Sequence, residues 1–93
     1  MAAFEWDAQK ADENVRKHGV SFENARSVFG DVNALTFFDG EHSESEDRFL
    51  TIGFADSGIL FLVVHTDRSD TTRLISARPA TSREGLAYAK RRQ

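Results

Sequence analysis

The sequence predicts an α+β fold: two N-terminal helices packed on a mainly antiparallel four-stranded meander, with a C-terminal helix closing the chain. Three observations predict it. Helix-capping residues cluster before residue 31, alternating apolar residues between short turns fill residues 34–79, and a second capping signal stands at residues 81–84. Ninety-three residues with eight phenylalanines and 40% apolar content can build one small core, so a single domain spanning residues 1–93 is expected.

The opening "FEWD" alternates apolar and acidic residues, so a short strand with Phe4 and Trp6 on one face is expected. Asp7 then N-caps a helix of roughly residues 8–18, and Gly19 closes it in the left-handed position. Lys17 and His18 fall in its last turn, where the helix dipole favours positive charge. Ser21 caps a second helix in which Phe22, Ala25, Val28 and Phe29 recur at helical spacing, closed by Gly30. "ALTFFDG" reads as a strand, and the acidic "DGEHSESED" that overlaps its end as an exposed, mobile loop. "DRFLTIGFA", "GILFLVVHT" and "TTRLISARP" are three further strands, joined by turns short enough to force antiparallel pairing. Thr81 and Glu84 frame a capping box for the last helix, which ends in basic residues.

Composition narrows the function. No cysteine is present, so disulfides and thiolate metal sites are excluded, and three scattered histidines do not form a zinc motif. There is no phosphate-binding glycine loop, no metalloprotease motif and no calcium loop, so neither a cofactor nor a metal is expected. No apolar leader or membrane-length run occurs, which points to a cytoplasmic protein without a membrane partner. The net charge of −3 is divided unevenly. Residues 1–67 carry thirteen carboxylates against five Lys or Arg, whereas residues 68–93 carry seven Lys or Arg against two carboxylates. Such a division suits a basic surface for a polyanion kept apart from an acidic one.

Period-two alternation aims the side chains. Arg48, Leu50, Ile52 and Phe54 share a face, as do Ile59, Phe61, Val63 and His65, and as do Leu74, Ser76 and Arg78. Arg48 starts its strand and His65 ends the next, so an antiparallel pair brings both to one end of the sheet. Arg78 belongs at the opposite end. His65 is either a polar strand stop or an imidazole held where chemistry occurs, and alternation alone does not choose. His42 lies in the acidic loop, too loosely held to position a proton.

The blocks "FEWD", "RKHGVSFENA", "HSESEDRFLTIG", "VVHTDR" and "RLISARPATSRE", in this order, resemble the BrnT-like toxins of bacterial type II toxin–antitoxin systems. The resemblance spans roughly residues 4–90, departing from the family pattern mainly at Gly85-Leu86-Ala87. It implies a RelE-like fold and an endoribonuclease that inhibits translation and growth. It also implies a cognate BrnA-like antitoxin bound in a heterotetramer, an RNA substrate, and contact with operator DNA only through the antitoxin, which represses the shared operon. The matched blocks carry over Lys17, His18, Arg48, His65, Thr66 and Arg78.

On this resemblance the expected catalytic set is His65, Arg48, Arg78 and His18, with Lys17, Thr66, Arg83 and Arg91 contacting RNA. Cleavage without metal uses the 2′-hydroxyl as nucleophile, an imidazole for proton transfer, and guanidinium groups at the phosphate. The alternative is a non-catalytic protein-binding subunit of a transcription-regulating complex, which the overall acidity favours.

Overall fold

The computed structural model describes residues 3–43 and 45–92. The five strands β1 (Ala3–Glu5), β2 (Leu35–Phe38), β3 (Arg48–Phe54), β4 (Leu60–Arg68) and β5 (Thr71–Pro79) form one sheet in the order β1-β5-β4-β3-β2. Strands β2 to β5 are the expected antiparallel meander. The sheet is nevertheless five-stranded and mixed, because β1 pairs in parallel with the start of β5, Phe4 opposite Thr72. Parallel neighbours need a long crossover. Here it is almost the whole chain, which is why local pattern does not place β1.

Helix α1 (Ala8–His18) begins at Asp7, whose carboxylate accepts from the Gln9 N–H. It ends at Gly19, at φ +69°. The second helix is shorter than its spacing predicts. Only one α-turn, α2 (Phe22–Ala25), forms before the chain tightens into a 3-10 turn over Arg26–Gly30. The Ser27 hydroxyl donates to the Asn24 carbonyl and accepts from the Asp56 N–H, tying this segment to the β3–β4 turn. Such side-chain bonds compete with regular helix. Gly53 lies beneath, where a Cβ would come within 2.9 Å of Val28 Cγ1.

The helices cover both faces of the sheet. On one, Phe22, Ala25 and Val28 pack with Phe61, Val63, Leu74 and Ala77, joined by Trp6, Ala11 and Phe29. Burying Phe22 and Phe61 contributes on the order of 2–3 kcal/mol each. On the other, Tyr88 of helix α3 (Ser82–Arg92) packs on Ile52 and Leu62. A bulge corrects the expected facing of β5. Pairing jumps from Val64 opposite Ser76 to His65 opposite Leu74, so Ile75 is the extra residue. Leu74 thereby joins the Ala77 core face, and Ser76 and Arg78 take the other.

Asn14 of α1 closes the β5 edge beyond the end of β1. Its Nδ2 donates to the Val20 and Ala77 carbonyls, and its Oδ1 accepts from the Ala77 N–H. At the other end, the Thr81–Glu84 capping box forms reciprocally. Arg78 makes a two-bond pair with Glu84, each bond 2.8 Å. Hydrogen bonding from Arg78, with help from the Thr81 N–H, holds the Glu84 carboxyl below its ordinary 4.5. A carboxylate depressed on folding stabilises above that ordinary value, and the gain is lost as pH falls through the folded one. Between about pH 7 and about pH 3 the parent should therefore lose about 1 kcal/mol more than Glu84→Gln. Urea unfolding at the two pH values checks this. Equal losses would mean that the pair carries no stability.

Candidate RNA-binding cavity

On the sheet face that carries α3, register places Arg48 opposite Thr66 and Thr66 opposite Arg73, giving a cross-strand row of cation, hydroxyl and cation. Glu5 continues the row on β1, and its carboxylate accepts from Arg73 at 2.9 Å. A cavity of about 370 Å³ opens here, lined by Lys10, His42, Ser45, Glu46, Arg48, Thr66, Arg73 and Ile75. The Thr66 hydroxyl is buried and, among the described residues, has no hydrogen-bond partner. A buried hydroxyl without a partner costs on the order of 1–3 kcal/mol.

His42, Ser45 and Glu46 of the 39–47 segment line the cavity, and hydrogen bonds tie the described parts of the segment to β3. The Asp39 N–H donates to the Arg48 carbonyl, the Ser43 hydroxyl to the Asp39 carbonyl, and the Arg48 N–H to the Ser43 hydroxyl. His42 Nδ1 lies 2.9 Å from Asp39 Oδ2, which orients the imidazole, and Nε2 has no hydrogen-bond partner among the described residues. The expected exposed loop thus carries hydrogen bonds at Asp39, His42 and Ser43; of it, Glu44 lies outside the described residues. Glu46 is drawn to Arg68 through two bonds, and that pairing lowers its pKa. Among the described residues Arg48 makes no ion pair.

A second cavity of about 280 Å³ shares Lys10 and Ile75 with the first and continues past Asn14, Lys17 and His18. Lys10, Asn14 and Lys17 stand at i, i+4 and i+7, one stripe of α1. The two cavities thus adjoin at Lys10 and Ile75, lined by the cations Lys10, Lys17, Arg48 and Arg73 and by the carboxylates Glu13 and Glu46.

The expected residues divide. Arg48 and Thr66 line the main cavity, and Lys17 and His18 line its extension. Arg78 shares their sheet face but pairs with Leu62, four residues along β4 from Thr66 and so about 13 Å away. Its guanidinium is committed to Glu84. Arg83 and Arg91 are exposed on α3 and line neither cavity.

His65 is the main correction. It does lie at the Arg48 end of the sheet, opposite Phe49, but on the other face and only 2% exposed. Its ring packs against Phe29 and Phe49. Nδ1 lies 2.9 Å from Asp67 Oδ1, and Nε2 lies 2.7 Å from the Thr51 hydroxyl, which also bonds Thr36. Hydroxyl, imidazole and carboxylate thus align as in a hydrolase triad. The would-be nucleophile, Thr51, is 1% exposed, however, so no substrate atom reaches it in this conformation.

Lys10, His42 and Arg73 are the cavity residues that sequence reading missed. The i, i+4, i+7 stripe was a usable signal for Lys10. Arg73 required the bulge, and His42 lies in a segment without periodicity.

Among the described residues, no group of three or more His, Asp or Glu is placed to hold a metal ion. No described helix is long and apolar enough to cross a membrane. The family model described as ribonuclease toxin, BrnT, of type II toxin-antitoxin system matches residues 6–84. The 1.1 Å crystal structure of the Brucella abortus ribonuclease toxin BrnT matches at a TM-score of 0.66 and 22% identity. The match covers 88% of this chain and 100% of that one, a likeness of fold. No curated protein matches the chain.

Proposed function

Because the chain belongs to the BrnT family of ribonuclease toxins of type II toxin–antitoxin systems, we propose that it cleaves RNA in the cavity between Arg48 and Arg73. The observation that carries this reading is the cross-strand row that sets two guanidinium groups, Arg48 and Arg73, on either side of Thr66 at the cavity. That arrangement suits a phosphodiester, whose non-bridging oxygens accept from the two guanidinium groups.

In the reaction the substrate 2′-hydroxyl attacks the adjacent phosphorus. The O2′–P bond forms and the P–O5′ bond breaks, leaving a 2′,3′-cyclic phosphate and a 5′-hydroxyl. The 2′ proton passes to a base, and an acid supplies the proton for O5′. His42, oriented through Asp39, is the imidazole at the cavity and serves in this proton transfer. Arg48, Arg73 and Lys10 offset the charge that develops on the phosphorane. Lys17 and His18 hold the neighbouring RNA backbone by counterion release.

His65 takes a supporting role, holding the β3 and β4 ends from beneath. His65→Ala should therefore cost about 2–4 kcal/mol of stability, from a cavity and broken hydrogen bonds, while cleavage per folded molecule falls by less than about tenfold. Chemical unfolding beside single-turnover cleavage separates the two effects. A loss of roughly 100-fold or more in a variant shown to be folded would return His65 to the catalytic set.

A cognate antitoxin neutralises the toxin by covering the cavity and burying Arg48. Since the chain is acidic overall, operator DNA is reached through that partner. The direct test is expression of the chain alone, followed by RNA cleavage with purified protein in EDTA. Growth arrest and EDTA-resistant cleavage are expected. Cleavage abolished by EDTA and restored by magnesium would overturn the metal-independent route. Binding of the antitoxin without any cleavage would favour the non-catalytic subunit reading.

A further inference from the structure

The two edges of the sheet are treated differently. Beyond β1, the β5 edge is closed by Asn14, which satisfies both the N–H and the C=O of Ala77. The β2 edge has no such cover among the described residues, and β2 is the last strand in the sheet. Since the Asp39 N–H donates to Arg48, register turns Leu35 and Phe37 toward β3 and leaves the N–H and C=O of Thr36 and Phe38 directed outward.

That edge is also apolar on both sides. Phe38 is 59% exposed on one face of the sheet, and on the other Phe37 and Phe54 are 43% and 40% exposed. Val32, just before the strand, is 94% exposed. The adjoining segment is rich in carboxylates, of which Asp39 pairs with His42 and Glu46 with Arg68. Residues 31–47 hold six Asp or Glu and no Lys or Arg, and Glu41 and Asp47 are exposed. An open edge of this kind is ordinarily guarded by lysine or proline. Here neither is present, and the acidic rim selects a cationic neighbour.

We propose that the β2 edge is the docking strip for an extended, lysine- or arginine-bearing segment of the antitoxin, added to the sheet as a sixth strand. This rests on reading the chain as a toxin with a protein antitoxin. Backbone bonds to Thr36 and Phe38 supply register, and apolar side chains on the two sides of the added strand cover Phe38 and Phe37. Stable complexes bury about 1,600 Å² in total, more than a four-residue strand supplies. The segment therefore continues beyond β2. Asp39 leads straight into the loop that bears His42 and Glu46, so a chain laid along β2 arrives at the mouth of the Arg48 cavity. Docking and inhibition thus become one continuous contact.

Hydrogen exchange tests this on the full chain, alone and bound to the antitoxin of the shared operon. The Thr36 and Phe38 amides should exchange roughly tenfold or more slowly in the complex. Phe38→Lys should weaken the complex by roughly 30-fold and leave RNA cleavage by the free chain unchanged. As a second variant that leaves the apolar strip intact, Glu41→Lys combined with Asp47→Lys should slow association and flatten its salt dependence. Unaltered exchange at both amides, parental affinity in both variants, or failure to form a complex would overturn the proposal. A chain that fails to cleave RNA yet shows the protected edge supports the docking strip and overturns the ribonuclease reading. A chain that cleaves RNA and binds its antitoxin with the edge unprotected overturns the docking strip alone.

Discussion

Arg48→Ala should reduce RNA cleavage by roughly 100- to 1,000-fold, the loss typical of removing one donor aimed at transition-state charge. Arg48 starts β3, is half-buried, lines the cavity and makes no ion pair among the described residues. Its fork is therefore free to meet two phosphate oxygens. Arg73 faces it across Thr66 but shares its charge with Glu5, so Arg73→Ala should cost less. Arg48→Lys should recover only part of the activity, since a lysine restores charge without the planar pair of donors. Single-turnover cleavage at saturating protein, with circular dichroism to establish folding, measures the chemical step. If Arg48→Ala cleaves within about threefold of the parent, the row does not stabilise the phosphorane and the site is misplaced.

Asn14→Ala should cost about 3–5 kcal/mol of stability, a large share of the roughly 5–15 kcal/mol typical of a whole domain. Asn14 is 6% exposed, and its amide makes three bonds to backbone groups at 2.8, 2.8 and 3.0 Å. Alanine leaves the Ala77 N–H, the Ala77 carbonyl and the Val20 carbonyl without that partner. Each orphaned group costs on the order of 1–3 kcal/mol unless water enters. Asn14→Asp keeps the acceptor for Ala77 but loses both donations, so it should also be destabilised. Thermal unfolding should show a fall of about 15 °C or more for Asn14→Ala. A fall of less than about 4 °C would mean that solvent satisfies the β5 edge as well as the side chain does.

Local signals were legible wherever a few neighbouring residues decide the outcome. Asp7, Gly19, Ser21 and the Thr81–Glu84 box act within four residues, and each stands where its chemistry predicts. Alternation likewise predicted the shared sheet end of Arg48 and His65. It could not fix their common use, because side chains in adjacent strands need only a one-residue difference in register to face apart. Arg48 pairs with Thr66, and His65 with Phe49, so the apolar run of residues 59–64 delivers the imidazole to a core rather than to a cavity.

The sequence by itself determined the α+β class, the ends of the first and last helices, the meander and, through its ordered blocks, the toxin family. Its matched blocks also marked Arg48 and Thr66 as site candidates, without pairing them. Tertiary structure alone decided that β1 joins β5, that the Ile75 bulge reverses the alternation of β5, and that Lys10, His42 and Arg73 meet around Thr66. The physical reason is the range of the interactions. Caps and turns are settled by hydrogen bonds among near neighbours, whereas the parallel pairing joins residues 68 apart in sequence and the bulge depends on the packing of both faces of the sheet. A cavity lined from α1, the 39–47 loop and three strands exists only once those distant contacts have formed.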